Sequence, residues 1–240
     1  MQNDYEKLKD FWNSVLVVDE EETQKELEEL DVERDWAMLA PSPKLLAAVE
    51  SFKDRNKVLD YGCGTGWAVL AAANYGCRDV LGVDVSENAA KGTEFLARAF
   101  KVSDRVKVQH ISDEWLSEEP AGKYDAIICS NVVDVLPPEV SEQILANLHR
   151  VASFGASVVI GMNAYAVPVN NPANKIEIKN ENHLYVDGIL RMVSRTDEEW
   201  SEILQKYFAI EKVEHFAWPG EKEERRRIFY CTANSAGMNR

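Results

Sequence analysis

Cysteine is scarce and unpaired. Four occur in 240 residues, at Cys63, Cys77, Cys129 and Cys231, and none forms a C-x-x-C pair. That pattern excludes a zinc ribbon and a disulfide framework, and no metal site is predicted. A reducing cytoplasm is the compartment it fits. Long apolar runs are also missing; none approaches the ~20 residues that cross a bilayer, so no membrane partner is expected. "MQNDYEKLKD" lacks the basic region and apolar segment of an export signal. Basic charge is short as well: 27 Lys and Arg stand against 41 Asp and Glu. The one basic run, "ERRR" at 224–227, adjoins "GEKEE" and reads as a solvated loop. A protein that grips a phosphate backbone needs a basic face, so nucleic acid is a disfavoured partner.

The acidity is local. Residues 1–35 hold 13 acids and 4 bases, a net of −9, and the other 205 residues carry only −5 of the total −14. Within that segment, Tyr5, Leu8, Phe11, Trp12 and Val15 recur at helical spacing. An acidic second helix is predicted over 19–30, with Asp19 as its cap, and "APSPK" at 40–44 ends the segment. Residues 1–43 are therefore expected to form a helical cap on a main domain over 44–240.

From Lys57 the pattern alternates. "KVLDYG", "DVLGVDV", "RVKVQHI", "YDAIICSN" and "SVVIGMN" read as short buried strands, most of them separated by helical stretches. Such alternation predicts an α/β fold with a doubly wound, mostly parallel sheet. An insertion over about 165–195 contains two or three strand-like runs, with Asp187-Gly188 as a hairpin turn. Thr196 and Glu199 form a capping box for the next helix. The last two strands are joined by too short a loop for a crossover helix, so they should close the sheet as an antiparallel pair.

Three glycines fall within five positions at Gly62-Cys63-Gly64-Thr65-Gly66, directly after the first strand. A glycine-rich strand-to-helix turn presents backbone N–H groups and a helix N-terminus to a ligand. Trp67 and Ala68 follow where a P-loop needs Lys and Ser or Thr. The G-x-G-x-G spacing is not the dinucleotide G-x-G-x-x-G, and Asp60 stands just before it. A carboxylate is a poor neighbour for a diphosphate and a good one for an ammonium group. Asp84, 18 residues past Gly66, ends the second strand, where a carboxylate can accept both hydroxyls of a ribose.

"VLDYGCGTG", "LGVDVSENA" and "YDAIICSNVVDVLP" together resemble three motifs of the class I S-adenosylmethionine-dependent methyltransferases. The resemblance covers roughly residues 44–162, and the antiparallel strand pair fits the same family. It implies S-adenosylmethionine as cofactor, with S-adenosylhomocysteine as product. It assigns Asp60, Gly62, Gly64 and Gly66 to the methionine part, Asp84 to the ribose and Val85 to the adenine. Ser112 and Asp113 both stand where the family places an acid near the adenine, and the spacing does not choose between them. Asn131 should face the methionine end of the cofactor and the acceptor. Cys63 lies among the cofactor-contacting loop residues as packing, since nothing nearby would make its thiol a nucleophile.

Asp134, just past the fourth strand, is expected to contact substrate, with a turn residue as the plain alternative. The fourth-strand motif lacks the Asn/Asp-Pro-Pro-aromatic run of enzymes that methylate exocyclic amines of bases, and no cysteine follows a proline. A small-molecule acceptor is favoured over protein or tRNA, and over a non-catalytic cofactor-binding module. The N-terminal acids suggest an acceptor with positive charge. The N-terminal helices and the insertion are candidate lids, and a homodimer through the same hairpin stays open.

Overall fold

A computed structural model describes residues 2–28, 30–32 and 34–234. Part of the predicted second helix (Glu29), Glu33 and the last six residues lie outside them. The chain begins with helices α1 (Gln2–Val15) and α2 (Glu20–Glu28), a short 3-10 turn at Asp35–Leu39 and α3 (Pro43–Glu50). Asp19 Oδ1 accepts from the Glu22 amide at 3.0 Å, and Ser42 caps α3 through the Lys44 amide. Both caps satisfy amides that have no partner inside the helix.

Alternation then follows: β1 (Lys57–Tyr61), α4 (Trp67–Asn74), β2 (Asp79–Asp84), α5 (Glu87–Ala99), β3 (Val106–His110), α6 (Trp115–Glu118), β4 (Tyr124–Ser130), α7 (Pro138–Val151) and β5 (Ala152–Met162). A small antiparallel sheet of β6 (Ile176–Lys179), β7 (His183–Val186) and β8 (Ile189–Val193) comes next. Helix α8 (Asp197–Leu204) and strands β9 (Ala209–Phe216) and β10 (Arg226–Thr232) end it. The main sheet has the order β3-β2-β1-β4-β5-β10-β9. Strands β1 to β5 are parallel, and β10 runs antiparallel to both its neighbours.

Side chains on the central strands leave alternately to opposite faces, and both faces are covered. Leu59 and Tyr61 of β1, Ile127 and Cys129 of β4, and Val158 and Ile160 of β5 enter one core. Val58, Ala126, Ile128 and Val159 enter the other, against α3, α4 and α5. Hence these strands read as continuous apolar runs. The predicted hairpin insertion is a three-stranded meander. Its tight turn is Asp187-Gly188, both with positive φ (52° and 76°), which suits the twist of the flanking strands. The capping box at Thr196 and Glu199 is formed.

Trp200 of α8 is fully buried, and its indole N–H has no partner. Trp200→Phe keeps most of the apolar contact and removes an unsatisfied donor, so it should cost less than about 1.5 kcal/mol. Trp200→Ala should cost about 3–5 kcal/mol. Urea unfolding of both variants measures the difference.

Candidate functional site

The strand order reverses between β1 and β4, and the glycine loop sits at the carboxyl end of that switch point. The amides of Gly62 and Cys63 both donate to the Val83 carbonyl, at 2.8 and 3.0 Å, which folds the loop over the end of β2. Gly62 and Gly66 have φ of +75° and +78°. A Cβ on Gly62 would overlap Val132, which follows β4, and one on Gly66 would come within 2.7 Å of Thr93 on α5. Glycine is thus required twice over, by backbone conformation and by close approach. Thr93 donates to the Gly64 carbonyl at 3.0 Å and ties the loop to α5.

Two carboxylates flank this loop. Asp84 is buried; its Oδ2 accepts from the Gly64 amide at 2.9 Å and its Oδ1 from the Ser86 amide at 2.8 Å. Ser86, not Asp84, caps α5. Burial raises the Asp84 pKa, and the two amide bonds oppose that rise. Asp60 is only 3% exposed, and no ion pair with a Lys, Arg or His side chain is formed by it or by Asp84 among the described residues. Burial first, and then the charge of Asp84, push the Asp60 carboxyl up to about 8. A buried acid without a counter-ion is costly to ionise, and a cationic ligand group relieves that cost. The residues present therefore fit an adenosyl amino acid: an ammonium beside Asp60 and ribose hydroxyls beside Asp84.

Helix α1 roofs this edge of the sheet. Tyr5 donates to Asp113 Oδ1 at 2.9 Å, and Lys9 to Oδ2 at 2.7 Å. One turn further on, Asn13 Oδ1 accepts from Ser86 Oγ and from the Asn88 amide, and its carbonyl accepts from Asn88 Nδ2. Leu8 lies between these anchors, 1% exposed, in the core cluster that contains Tyr61, Val83 and Val133. On its other side, α1 lays Phe11 4.0 Å from the Arg191 guanidinium of β8. A groove of about 510 Å³ remains outside it, lined by Lys7, Phe11, Asp187 and Ile189 among others.

At the end of β4, Asn131 has a left-handed backbone (φ 58°), and its amide donates to the Gly161 carbonyl at 2.8 Å. Its side chain donates to Asn163 Oδ1 at 3.1 Å.

Residues 58–155 match the family described as "Methyltransferase domain". That stretch is therefore similar to a methyltransferase domain. A ubiquinone biosynthesis O-methyltransferase of Psychrobacter arcticus is 35% identical over 81 residues, covering 34% of this chain and 31% of the relative. The chain thus spans about a third of the length of that curated relative. A Burkholderia thailandensis 1,6-didemethyltoxoflavin-N1-methyltransferase has a similar structure, with TM-score 0.62 and 15% identity over 89% of this chain and 83% of that one. So does an S-adenosylmethionine-dependent methyltransferase of Mesorhizobium loti, at TM-score 0.60 and 17% identity over 82% of this chain and 99% of that one. The fold is that of the class I methyltransferases.

The fold brings Asp60, Gly62, Cys63, Gly64, Gly66, Asp84 and Val85 to one edge. Cys63 is buried, and burial, then Asp60 and Asp84, raise its thiol pKa well above the ordinary value. Its side chain packs beneath the loop, next to Thr93 and Gly82. Ser112 and Asp113 follow β3 on the same edge, but the Asp113 carboxylate is held by α1. Asp134 departs from the expected substrate contact. It has no exposed surface, and its Oδ2 accepts both the main-chain and side-chain N–H of Asn163 at 2.8 Å. Sequence reading missed Lys9, Asn13, Thr93 and Asn163. Helical periodicity placed Tyr5 and Trp12 on an apolar face and carried no signal for the polar side of the same helix.

If Asp113 pins the roof, Asp113→Ala should speed hydrogen exchange across residues 2–15 before it affects β1 or β4. The partly exposed pair limits the stability loss to about 1–2 kcal/mol. Exchange mass spectrometry with a urea titration checks both.

Proposed function

We propose that the protein transfers the methyl group of S-adenosylmethionine to a small-molecule acceptor in the cytoplasm. One observation carries the reading: Asp60 and Asp84 are buried without ion-pair partners among the described residues, on adjacent strands, on either side of a left-handed glycine loop. When bound, S-adenosylmethionine supplies an electrophilic methyl group on a sulfonium centre. The chain supplies position. Asp60 would hold the ammonium group, the glycine loop would lie against the amino-acid part, and Asp84 would accept from the ribose. Val85 flanks the adenine, with Ser112 or Asp113 at its amino edge. For Asp113 that role competes with its bonds to Tyr5 and Lys9, so adenine binding and roof closure draw on one carboxylate. Asn131 borders the space where the acceptor atom must lie in line with the departing sulfur.

A hydroxyl or amine acceptor must also lose a proton. His183 of β7 pairs with Val193, whose amide donates to the Asp134 carbonyl, and is the base assigned here. Burial and nearby Arg195 lower its pKa, so the imidazole is neutral at pH 7, and its Nδ1 faces Asn182 Oδ1 at 3.1 Å. With the proton on Nδ1, Nε2 is an acceptor. The similarity to an O-methyltransferase and the fold of an N-methyltransferase both support acceptors of this kind. Because the acids of α2 are exposed to solvent, their contribution to a cationic acceptor is long-range only. Removing residues 1–35 would also remove the roof, so Glu20, Glu21 and Glu22 changed to Gln test charge alone. Unchanged acceptor affinity in that variant would count against a cationic acceptor.

Asp60 generates two expectations. At pH 7 its carboxyl, with a pKa of about 8, is largely protonated without ligand, and an ammonium ligand favours the charged form. S-adenosylhomocysteine should therefore release a proton on binding. Its affinity should rise from pH 6 to about 8 and then level off. Calorimetry in two buffers of different ionisation enthalpy reads both effects, and NAD or ATP in place of S-adenosylhomocysteine should give no heat. For the free protein, a carboxyl raised above its unfolded value makes the folded state bind more protons. Its contribution thus lowers stability as pH climbs from about 4 to 8. Asp60→Asn should raise the melting temperature at pH 8 by roughly 2–5 °C while abolishing the binding heat.

A further inference from the structure

Asn163 follows β5, and all its polar groups are engaged. Its amide and its Nδ2 both donate to Asp134 Oδ2, at 2.8 Å each. Its carbonyl accepts from Nε and Nη2 of Arg227, a side chain 1% exposed. Its Oδ1 accepts from Arg226 Nη1 at 2.6 Å and from Asn131 Nδ2 at 3.1 Å. A guanidinium can only donate, so Arg226 fixes which way the Asn163 amide faces. The two arginines are fixed in turn. Arg226 pairs with Glu221 and lies 3.6 Å over the Trp218 ring, and Arg227 reaches the Asp197 carboxylate and the Arg195 carbonyl.

Asn131 is held less completely. Its Nδ2 is drawn to Asn163, which leaves its Oδ1 with Ser130 Oγ at 3.2 Å and one further lone pair. Without Asn163, its side-chain amide would lose the partner that sets its direction.

We propose that Asn163 is a positioning residue for the Asn131 amide, transmitting to it the geometry set by Asp134, Arg226 and Arg227. Resting on the methyltransferase reading, this makes the β5 end, and not only the β4 motif, a determinant of how the methionine end of the cofactor is held. The competing role is a plain clamp that joins β4, β5 and β10 and leaves the Asn131 direction unchanged.

The test uses the full chain, S-adenosylhomocysteine as the probe, and Asn131→Ala, Asn163→Ala and the double variant. Asn163→Ala should weaken binding about ten-fold, the scale of one well-made hydrogen bond, and Asn131→Ala should do about the same. The double variant should bind within about two-fold of either single one, because both changes remove one linked interaction. The Asn131 side-chain NH₂ signals in the nitrogen–proton spectrum should shift or broaden in Asn163→Ala before any ligand is added. Should Asn163→Ala fail to fold, Arg226→Met removes one bond at the same oxygen; it should shift those signals and weaken binding about three-fold. Multiplicative losses in the double variant would overturn the proposal. So would unchanged Asn131 signals and unchanged affinity beside a lowered urea midpoint. No binding heat with the wild-type chain would instead overturn the methyltransferase reading and the proposal together; the variant results leave that reading intact.

Discussion

Two carboxylates are kept from water at the carboxyl ends of β1 and β2, and no ion pair neutralises them among the described residues. Folding tolerates that arrangement because the rest of the domain overdetermines it. Both core layers bury the strands that carry Asp60 and Asp84, and the glycine loop is tied to β2 and to α5 by its own amide and carbonyl groups. The unsatisfied field is then available to a ligand with an ammonium group and hydroxyls. That field is the physical basis of the reading that this turn receives an adenosyl amino acid.

The roof follows from the same geometry. Loops after β2 and β3 end in exposed polar groups, and α1 satisfies them from above through Tyr5, Lys9 and Asn13. Its apolar face reaches the core through Leu8, so the helix is both roof and core element. These polar anchors are individually modest in a partly exposed setting. A roof held this way can open at lower free energy than the sheet beneath it can unfold, as admission of a ligand requires.

On the acceptor side the design is different. Asp134, Asn163, Asn131 and the paired arginines of β10 form a connected polar network with one loose end, the buried Asp134 Oδ1. Networks of this kind specify direction more than they add stability. The left-handed backbone of Asn131 is the local strain such a network sustains.

Local physics made much of this legible in advance. Continuous apolar runs specified a sheet covered on both faces, and three close glycines specified a turn that only glycine can make. Asp60 and Asp84 were readable because their offsets from that turn fix which strand ends carry them. Capping signals at Ser42, Thr196 and Glu199 act within a few residues and were equally plain. Tertiary structure alone decided the rest. Tyr5 meets Asp113 across 108 positions and Arg227 meets Asn163 across 64, and nothing in a local pattern encodes such a meeting. Asp134 shows the limit most clearly: its place after β4 was evident from the motif, but its burial under β5 and β8 depended on where three distant segments converge. The chain's own periodicity thus determined the scaffold and the cofactor edge, while long-range packing determined what covers that edge and which amide is aimed across it.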